Sequence, residues 1–299
     1  MMKRILILTD FSKNAWDASC YASEAFAFEE TEFYLLHVLK PLEYESVPMI
    51  GLKIDSYIPD PDKEKKAKVE LMKLIHRLNQ YKNPKHEFEP LLRTGFIIDV
   101  IKEAVKTNHI DMIILGTKGA KRILNIYFGS TALKILDSTF TCPVLAIPEH
   151  WEYKGIREVV MPTDFCDPVR EENIYPLLEL LKDFHCHVRL LHVQDQKKEL
   201  NEDQLYCRRR ISSALNGIPH QFHTLVNFDE ANGIGCFAQS HNADLIVFVY
   251  KKHSFIESIA HKSTLKGVSY RTAIPIMVLH QNTKVLKPKK DAVTRERVS

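Results

Sequence analysis

Ile5-Leu6-Ile7-Leu8-Thr9-Asp10-Phe11-Ser12 returns 154 residues later as Val159-Val160-Met161-Pro162-Thr163-Asp164-Phe165-Cys166. Each copy is a short apolar run that stops at Thr-Asp-Phe. Runs of this length, apolar at successive positions, are the pattern of strands buried on both faces, which belong in a parallel sheet. The repeat extends outward from this stretch. Leu35-Leu36-His37-Val38 returns as Leu190-Leu191-His192-Val193, Asp111-Met112-Ile113-Ile114 as Asp244-Leu245-Ile246-Val247, and Cys142-Pro143-Val144-Leu145 as Ile274-Pro275-Ile276-Met277. The offset falls from 155 at Leu35 to 133 at Asp111, so the second copy is about 22 residues shorter there. A repeat found first fixes the architecture to be read: two domains, residues 1–150 and 151–281, meeting near Pro148 to Lys154, with a tail at 282–299.

Between the strands of the first copy the period changes. Ala15, Ala18, Ala22 and Ala25 fall three and four apart, as do Ala67, Leu71, Leu74 and Leu78, and then Ile97, Ile101 and Ala104. That spacing lays helices on a sheet. Ser12 is a suitable N-cap for the first of them, whose alanines allow close approach to the strands. With a last strand at Val144 to Ile147, strands and helices alternate as in an open, doubly wound α/β sheet. The second copy repeats the order with flaws. Pro176 interrupts its first helix, and Gly233 and Gly235 weaken the helix before Asp244 by roughly 1 kcal/mol each.

Of the 299 residues, 45% are hydrophobic and 26% charged, ordinary values for a folded protein. No apolar run approaches the roughly 20 residues of a membrane helix, and the N-terminus is too short in apolar residues for a signal-peptide core. A cytoplasmic protein without membrane contact is the expectation. Cys20, Cys142, Cys166, Cys186, Cys207 and Cys236 form no Cys-x-x-Cys pair and read as separate packing residues. The net charge of +3 divides into 0 for residues 1–150, −1 for 151–281 and +4 for 282–299. A neutral body gives no general drive toward nucleic acid, and the basic excess is that of a solvated, flexible tail.

Chemistry concentrates after the strand at Met112 to Leu115. Gly116-Thr117-Lys118-Gly119, nine further residues, and Gly129-Ser130-Thr131 lead into a helix with an apolar face of Ala132, Ile135 and Leu136. Glycines let backbone amides approach an anion, and the first residues of a helix carry unpaired N–H groups that favour phosphate. Any one of these glycines alone reads as a turn residue; three at this spacing point to a polyphosphate. In open α/β sheets ligands sit outside the carboxyl ends of the strands, where strand order reverses, so Asp10, Val38 and Gly116 share one crevice. No Walker A loop and no Gly-x-Gly-x-x-Gly fingerprint is present.

The Thr9-Asp10-Phe11-Ser12 opening, Leu35-Leu36-His37-Val38, the glycine pattern and Cys142-Pro143-Val144 together resemble the universal stress protein family in its tandem two-domain form. The resemblance is strong over 1–148 and weaker over 154–281. It implies in each domain a five-stranded parallel sheet ordered 3-2-1-4-5 with helices on both faces, and ATP, carried with magnesium, as ligand. Carried over, Asp10 meets the ribose, the backbone at Thr9 and Val38 flanks the adenine, and Gly116 and Gly119 border ribose and phosphates. Gly129, Ser130 and Thr131 hold the phosphates. Leu8 departs from the proline common before this Thr-Asp.

The second copy keeps Thr163 and Asp164 and loses the cradle. Val249 stands for Gly116, Lys252 for Gly119, and His261 or Lys262 for Gly129. One nucleotide site per chain is expected. Lys118, Lys121 and Arg122 read as solvated loop residues, with flexible reach toward phosphate as the alternative. His185, Cys186, His187 and His192 are read as packing and rim residues, since no third ligand is spaced to complete a metal site with them. His37 and His192, at equivalent positions, share a structural role. No nucleophile motif is legible.

The function expected is an ATP-binding stress-response regulatory or interaction protein, with at most slow hydrolysis and a regulatory protein partner of unspecified identity. A nucleotide-independent scaffold is the alternative, its two domains pairing internally, or the chain with a second copy, so as to cover the apolar edge strands at Val144–Ile147 and Ile276–Leu279. An adenylate-forming enzyme is a third reading. It would need a glycine-bearing phosphate loop where Thr9-Asp10-Phe11-Ser12 stands.

Overall fold

The computed structural model describes residues 2–41, 43–49, 52–58, 60–118, 128–165, 178, 181, 186–194, 196–250, 264, 267–268 and 273–280. The first half runs β1 (Lys3–Leu8), α1 (Lys13–Ala25), β2 (Thr31–Leu39), β3 (Glu43–Met49), β4 (Leu52–Ile58), α2 (Pro61–Asn79), β5 (His86–Thr94), α3 (Ile97–Thr107), β6 (Met112–Gly116), α4 (Ser130–Leu136) and β7 (Val144–Ile147). The second runs β8 (Glu158–Pro162), β9 (His187–Gln194), α5 (Glu202–Ala214), β10 (His220–Val226), α6 (Glu230–Ser240), β11 (Leu245–Tyr250) and β12 (Ile276–His280).

Local chemistry starts these helices, at α1 with the cap that the sequence suggested. Ser12 accepts a hydrogen bond from the Ala15 amide at the head of α1. Asp60 caps α2, with Pro61 behind it at the position that has no amide to lose. Asn201 and Gln204 cap each other's backbone in a capping box at α5. The residue with which β6 opens its approach is held the same way in both copies. The Asp111 carboxylate accepts the Arg4 amide at 2.8 Å and the Asp244 carboxylate accepts the Glu158 amide at 3.0 Å.

The strands of the first half lie in the order β5-β2-β1-β6-β7 and those of the second in the order β10-β9-β8-β11-β12, which is 3-2-1-4-5 twice. Within each half all neighbours are parallel. β5, which the sequence pattern did not place, interleaves charges with apolar residues and carries Pro90. Proline is tolerated there because β5 is an edge strand. A second element missed in the sequence is the antiparallel β3–β4 pair, a two-stranded sheet of its own. Together with α2, 19 residues against 13 in α5, it accounts for most of the extra length of the first copy.

The two halves join edge to edge. β7 and β12 pair antiparallel, Ala146 opposite Ile276, Leu145 opposite Met277 and Val144 opposite Val278, which makes one ten-stranded sheet. The apolar edges that needed cover thus cover each other. Helices flank both faces. α1, α2 and α5 pack with Ile5, Ile7, Leu145, Val159 and Met277 in one core. α3, α4 and α6 pack with Leu6, Leu8, Ala146, Val160 and Ile276 in the other. Each core runs through both halves, so the seam is interior. Among the described residues no helix is long and apolar enough to cross a membrane.

Gly233, read as a flaw in its helix, has a packing reason. A Cβ there would sit 3.0 Å from the Val193 side chain, so the glycine lets α6 close onto the end of β9. Gly235 meets no such neighbour. Pro176 lies outside the described residues.

At the end of β12, His280 is 4% exposed, and burial pushes its pKa down to about 4 against the opposing pull of Asp137. The folded chain therefore holds His280 neutral while the unfolded chain protonates it near pH 6.5. Its folded pKa lies below the unfolded one, so stability falls as pH drops through 6.5 toward 4. From this group alone, urea unfolding should show a loss of about 2 kcal/mol between pH 7 and pH 5. His280→Leu should lose that share of the acid sensitivity; an unchanged pH slope in the variant would remove His280 from the account.

Candidate functional site

The site is built from the turn that ends β1. Thr9 is buried, and its amide donates to the Leu36 carbonyl across to β2. Its hydroxyl oxygen accepts the Phe11 amide at 3.1 Å, and Asp10 Oδ1 accepts the Ser12 amide at 3.1 Å. These two bonds fold the chain back so tightly that Phe11 takes φ 62°, a left-handed conformation unusual for an aromatic residue. Its ring stacks on His37, centroids 4.4 Å apart, and His37 Nδ1 donates to the Thr9 carbonyl at 2.8 Å. The result leaves Asp10 exposed at the carboxyl end of β1, with half-buried Val38 following His37 on β2.

The second half reproduces this turn. The Thr163 hydroxyl accepts the Phe165 amide at 3.2 Å, Phe165 has φ 57°, and His192 Nδ1 donates to the Thr163 carbonyl at 2.9 Å. His37 and His192 therefore share the structural role their positions suggested. In the second half, however, the Asp164 carbonyl accepts the side chain of Gln204 from the capping box of α5, at 3.0 Å.

On the other side of β1 lies β6, with Leu8 in register with Leu115. Gly116 ends this strand. A Cβ there would fall 2.7 to 2.8 Å from the side chain and carbonyl of Asn14, so the glycine is required by the close passage of α1. Beyond it, the Thr117 amide donates to the Ile147 carbonyl at 3.0 Å, and the Thr117 carbonyl accepts the Gly129 amide at 2.6 Å. Gly129 is thereby brought beside the end of β6. It is the N-cap of α4 with φ −73° and ψ 159°, extended backbone with no capping side chain. Ser130 and Thr131 follow, exposed. The Thr117 hydroxyl is buried and has no hydrogen-bond partner among the described residues. Lys118 reaches Glu149 at 3.6 Å.

Thr9, Asp10, Val38, Gly116, Gly129, Ser130 and Thr131 thus gather at the carboxyl edge of β2, β1 and β6, where strand order reverses between β1 and β6. Gly119, Lys121 and Arg122 lie outside the described residues. Sequence reading missed Asn14, Thr117 and the Phe11–His37 stack. The repeated Phe and His were visible as part of the repeat; Asn14 has no local signal, because its partners lie more than a hundred residues away.

Opposite Gly116 the second half has Val249, half-buried and packed against the core. Ala132 and Leu136 of α4 are buried as Thr264 and Val268 are in the second half, at an offset of 132. That offset sets His261, rather than Lys262, at the place of Gly129 in the sequence; His261, Lys262 and Lys252 lie outside the described residues. Thr264 is buried and donates to Glu230 at the head of α6, at 2.5 Å.

Among the described residues no three His, Cys, Asp or Glu side chains are grouped to hold a metal ion. His185 lies outside them, and His187 faces Glu158 at 3.6 Å. Burial raises the thiol of Cys142 and pushes that of Cys186 up to about 11, which keeps both protonated and poor as nucleophiles.

The sequence profile of the universal stress protein family matches residues 1–148. The chain belongs to that family. Its tandem form is carried by the second half, which repeats strand order, turn and histidine. A universal stress protein from Archaeoglobus fulgidus DSM 4304 superposes over 92% of this chain and 95% of its own, with a TM-score of 0.65 at 18% identity. A Pseudomonas aeruginosa UCBPP-PA14 protein does so over 94% of each chain, with a TM-score of 0.60 at 11% identity. At such identities the likeness is one of fold. No curated protein matches the chain.

Proposed function

We propose that this universal stress protein binds ATP, with magnesium, at the carboxyl edge of its first half and acts in the cytoplasm as a stress-response regulatory or interaction protein. Residues 1–150 are the nucleotide-binding domain, 151–281 its degenerate partner and 282–299 a basic tail. The observation that carries the reading is the bond from the Gly129 amide to the Thr117 carbonyl, which brings the Gly129-Ser130-Thr131 segment beside the strand ends bearing Asp10 and Val38. Two features suit a nucleotide. The Thr117 hydroxyl is buried and unpartnered among the described residues, a group that gains from a polar ligand atom or water. Gly129 interposes no side chain before the first amides of α4. Asp10 would meet the ribose, the Thr9 and Val38 backbone the adenine, and Gly116 with Gly119 the ribose and phosphates.

A second reading, a nucleotide-independent scaffold, is favoured by the β7–β12 seam, which gives the second half a purpose without any ligand. Calorimetric titration of the full chain with ATP and magnesium separates the two. A saturable heat with one nucleotide per chain is expected, and silence at millimolar nucleotide would leave the scaffold.

A further inference from the structure

Asn14 sits in the first turn of α1, two residues after the capping Ser12, and is 2% exposed. An amide so deeply buried must have its hydrogen bonds met within the fold, and both ends of this one are. Its Oδ1 accepts the Lys118 amide at 2.6 Å, and its Nδ2 donates to the Ile147 carbonyl at 3.2 Å. That carbonyl also takes the Thr117 amide at 3.0 Å. One side chain therefore ties α1 to the segment leaving β6 and to the last residue of β7. The missing Cβ of Gly116 is what admits it, since a methyl group there would overlap Asn14 at 2.7 Å.

The same first turn carries the other half of the site. Asp10 accepts the Ser12 amide, and Ser12 caps the Ala15 amide. The segment before α1 holds Asp10, assigned to the ribose, and Thr9, whose backbone is assigned with that of Val38 to the adenine; Gly116, assigned to the ribose and phosphates, ends β6. Asn14 is the joint between them. In the second copy, Pro168 and Val249 stand at the positions of Asn14 and Gly116, so the amide and the glycine that admits it are replaced together.

We infer that Asn14 is a positioning residue, one that fixes the Gly116–Lys118 segment, and through Thr117 also Gly129, relative to Asp10 and so sets the phosphate side of the site against its nucleoside side. The inference rests in part on the nucleotide reading, and its test is divided accordingly. In the full chain, Asn14→Ala should speed hydrogen exchange at the Thr117, Lys118 and Gly129 amides by tenfold or more. The amides of β1 should keep their protection. This readout needs no ligand, and unchanged exchange at Lys118 would overturn the inference even if the wild type binds nucleotide well.

Titration then supplies a ratio that mere loss of stability does not move. Asn14→Ala should weaken ATP by about tenfold, the equivalent of one well-made hydrogen bond, while adenosine weakens by less than about threefold. Equal losses for the two ligands would overturn the positioning role. Gly116→Ala, which pushes on the same contact, should combine with Asn14→Ala sub-additively; full additivity would count against it. If the wild type binds neither ATP nor adenosine, the nucleotide reading fails, while the exchange measurement still decides whether Asn14 holds Thr117, Lys118 and Gly129.

Discussion

Leu145→Asp should lower the unfolding free energy of the full chain by more than about 3 kcal/mol, because it leaves a buried charge with no partner. Leu145 is 2% exposed, lies opposite Met277 across the β7–β12 seam, and belongs to the core that runs through both halves. Apolar side chains of α1 and of the second half's strands enclose it, so the carboxylate has no route to water that leaves the seam intact. The loss should appear in urea unfolding. Val69→Asp, at a position of α2 that is 49% exposed, serves as the control and should change stability by no more than about 0.5 kcal/mol. If Leu145→Asp is as mild as the control, the seam is not an interior part of the fold.

Gly129→Val should weaken ATP by at least tenfold, while costing about 1 kcal/mol or less in stability. The backbone at Gly129 is extended, at φ −73°, so a residue with a side chain adopts it without the strain that a left-handed conformation would impose. What the substitution adds is a side chain in front of the first amides of α4, where the proposed phosphates need bare backbone. Stability measured alongside binding separates the two effects. Unaltered affinity in a folded variant would mean that the phosphates, if bound, do not lie against this segment.

The uninterrupted strands, the Ser12 cap and the order of elements were readable in the sequence because each rests on neighbours in the chain. Ser12 acts within three residues, as do Asp60 and Asn201, two caps of the same kind that were not read from the sequence. The apolar runs of β1, β6 and β7 are uninterrupted because both faces are covered. β5 escaped because an edge strand alternates charge with apolar residues and tolerates Pro90. The β3–β4 hairpin escaped because Ile50-Gly51 between its strands lacks the Asn-Gly or Asp-Gly signature of tight hairpins.

Within the site, the segments that gather at the strand ends were legible, and the reasons for individual residues were less so. Gly116 looks from sequence like an approach for an anion, yet its absent side chain is demanded by Asn14. Gly233 looks like a weakness in a helix and instead admits Val193. In both cases the neighbour that explains the glycine is distant in the chain, and local periodicity carries no trace of it. The edge strands at Val144–Ile147 and Ile276–Leu279 could be seen to need cover; that each is the other's cover depends on how two complete sheets meet.

In the proposed function one half of a doubled fold holds the nucleotide and the other does not. Calorimetry of the wild type, Asp10→Ala and Asp164→Ala, each titrated with ATP and magnesium, tests it most directly. One nucleotide per wild-type chain is expected. Asp10→Ala should lower affinity by about 0.5 to 3 kcal/mol through loss of the proposed ribose contact. Asp164→Ala should leave affinity and stoichiometry unchanged. Two nucleotides per chain, or equal losses from the two substitutions, would contradict the claim and make the second half a binding site despite Val249 at the place of Gly116.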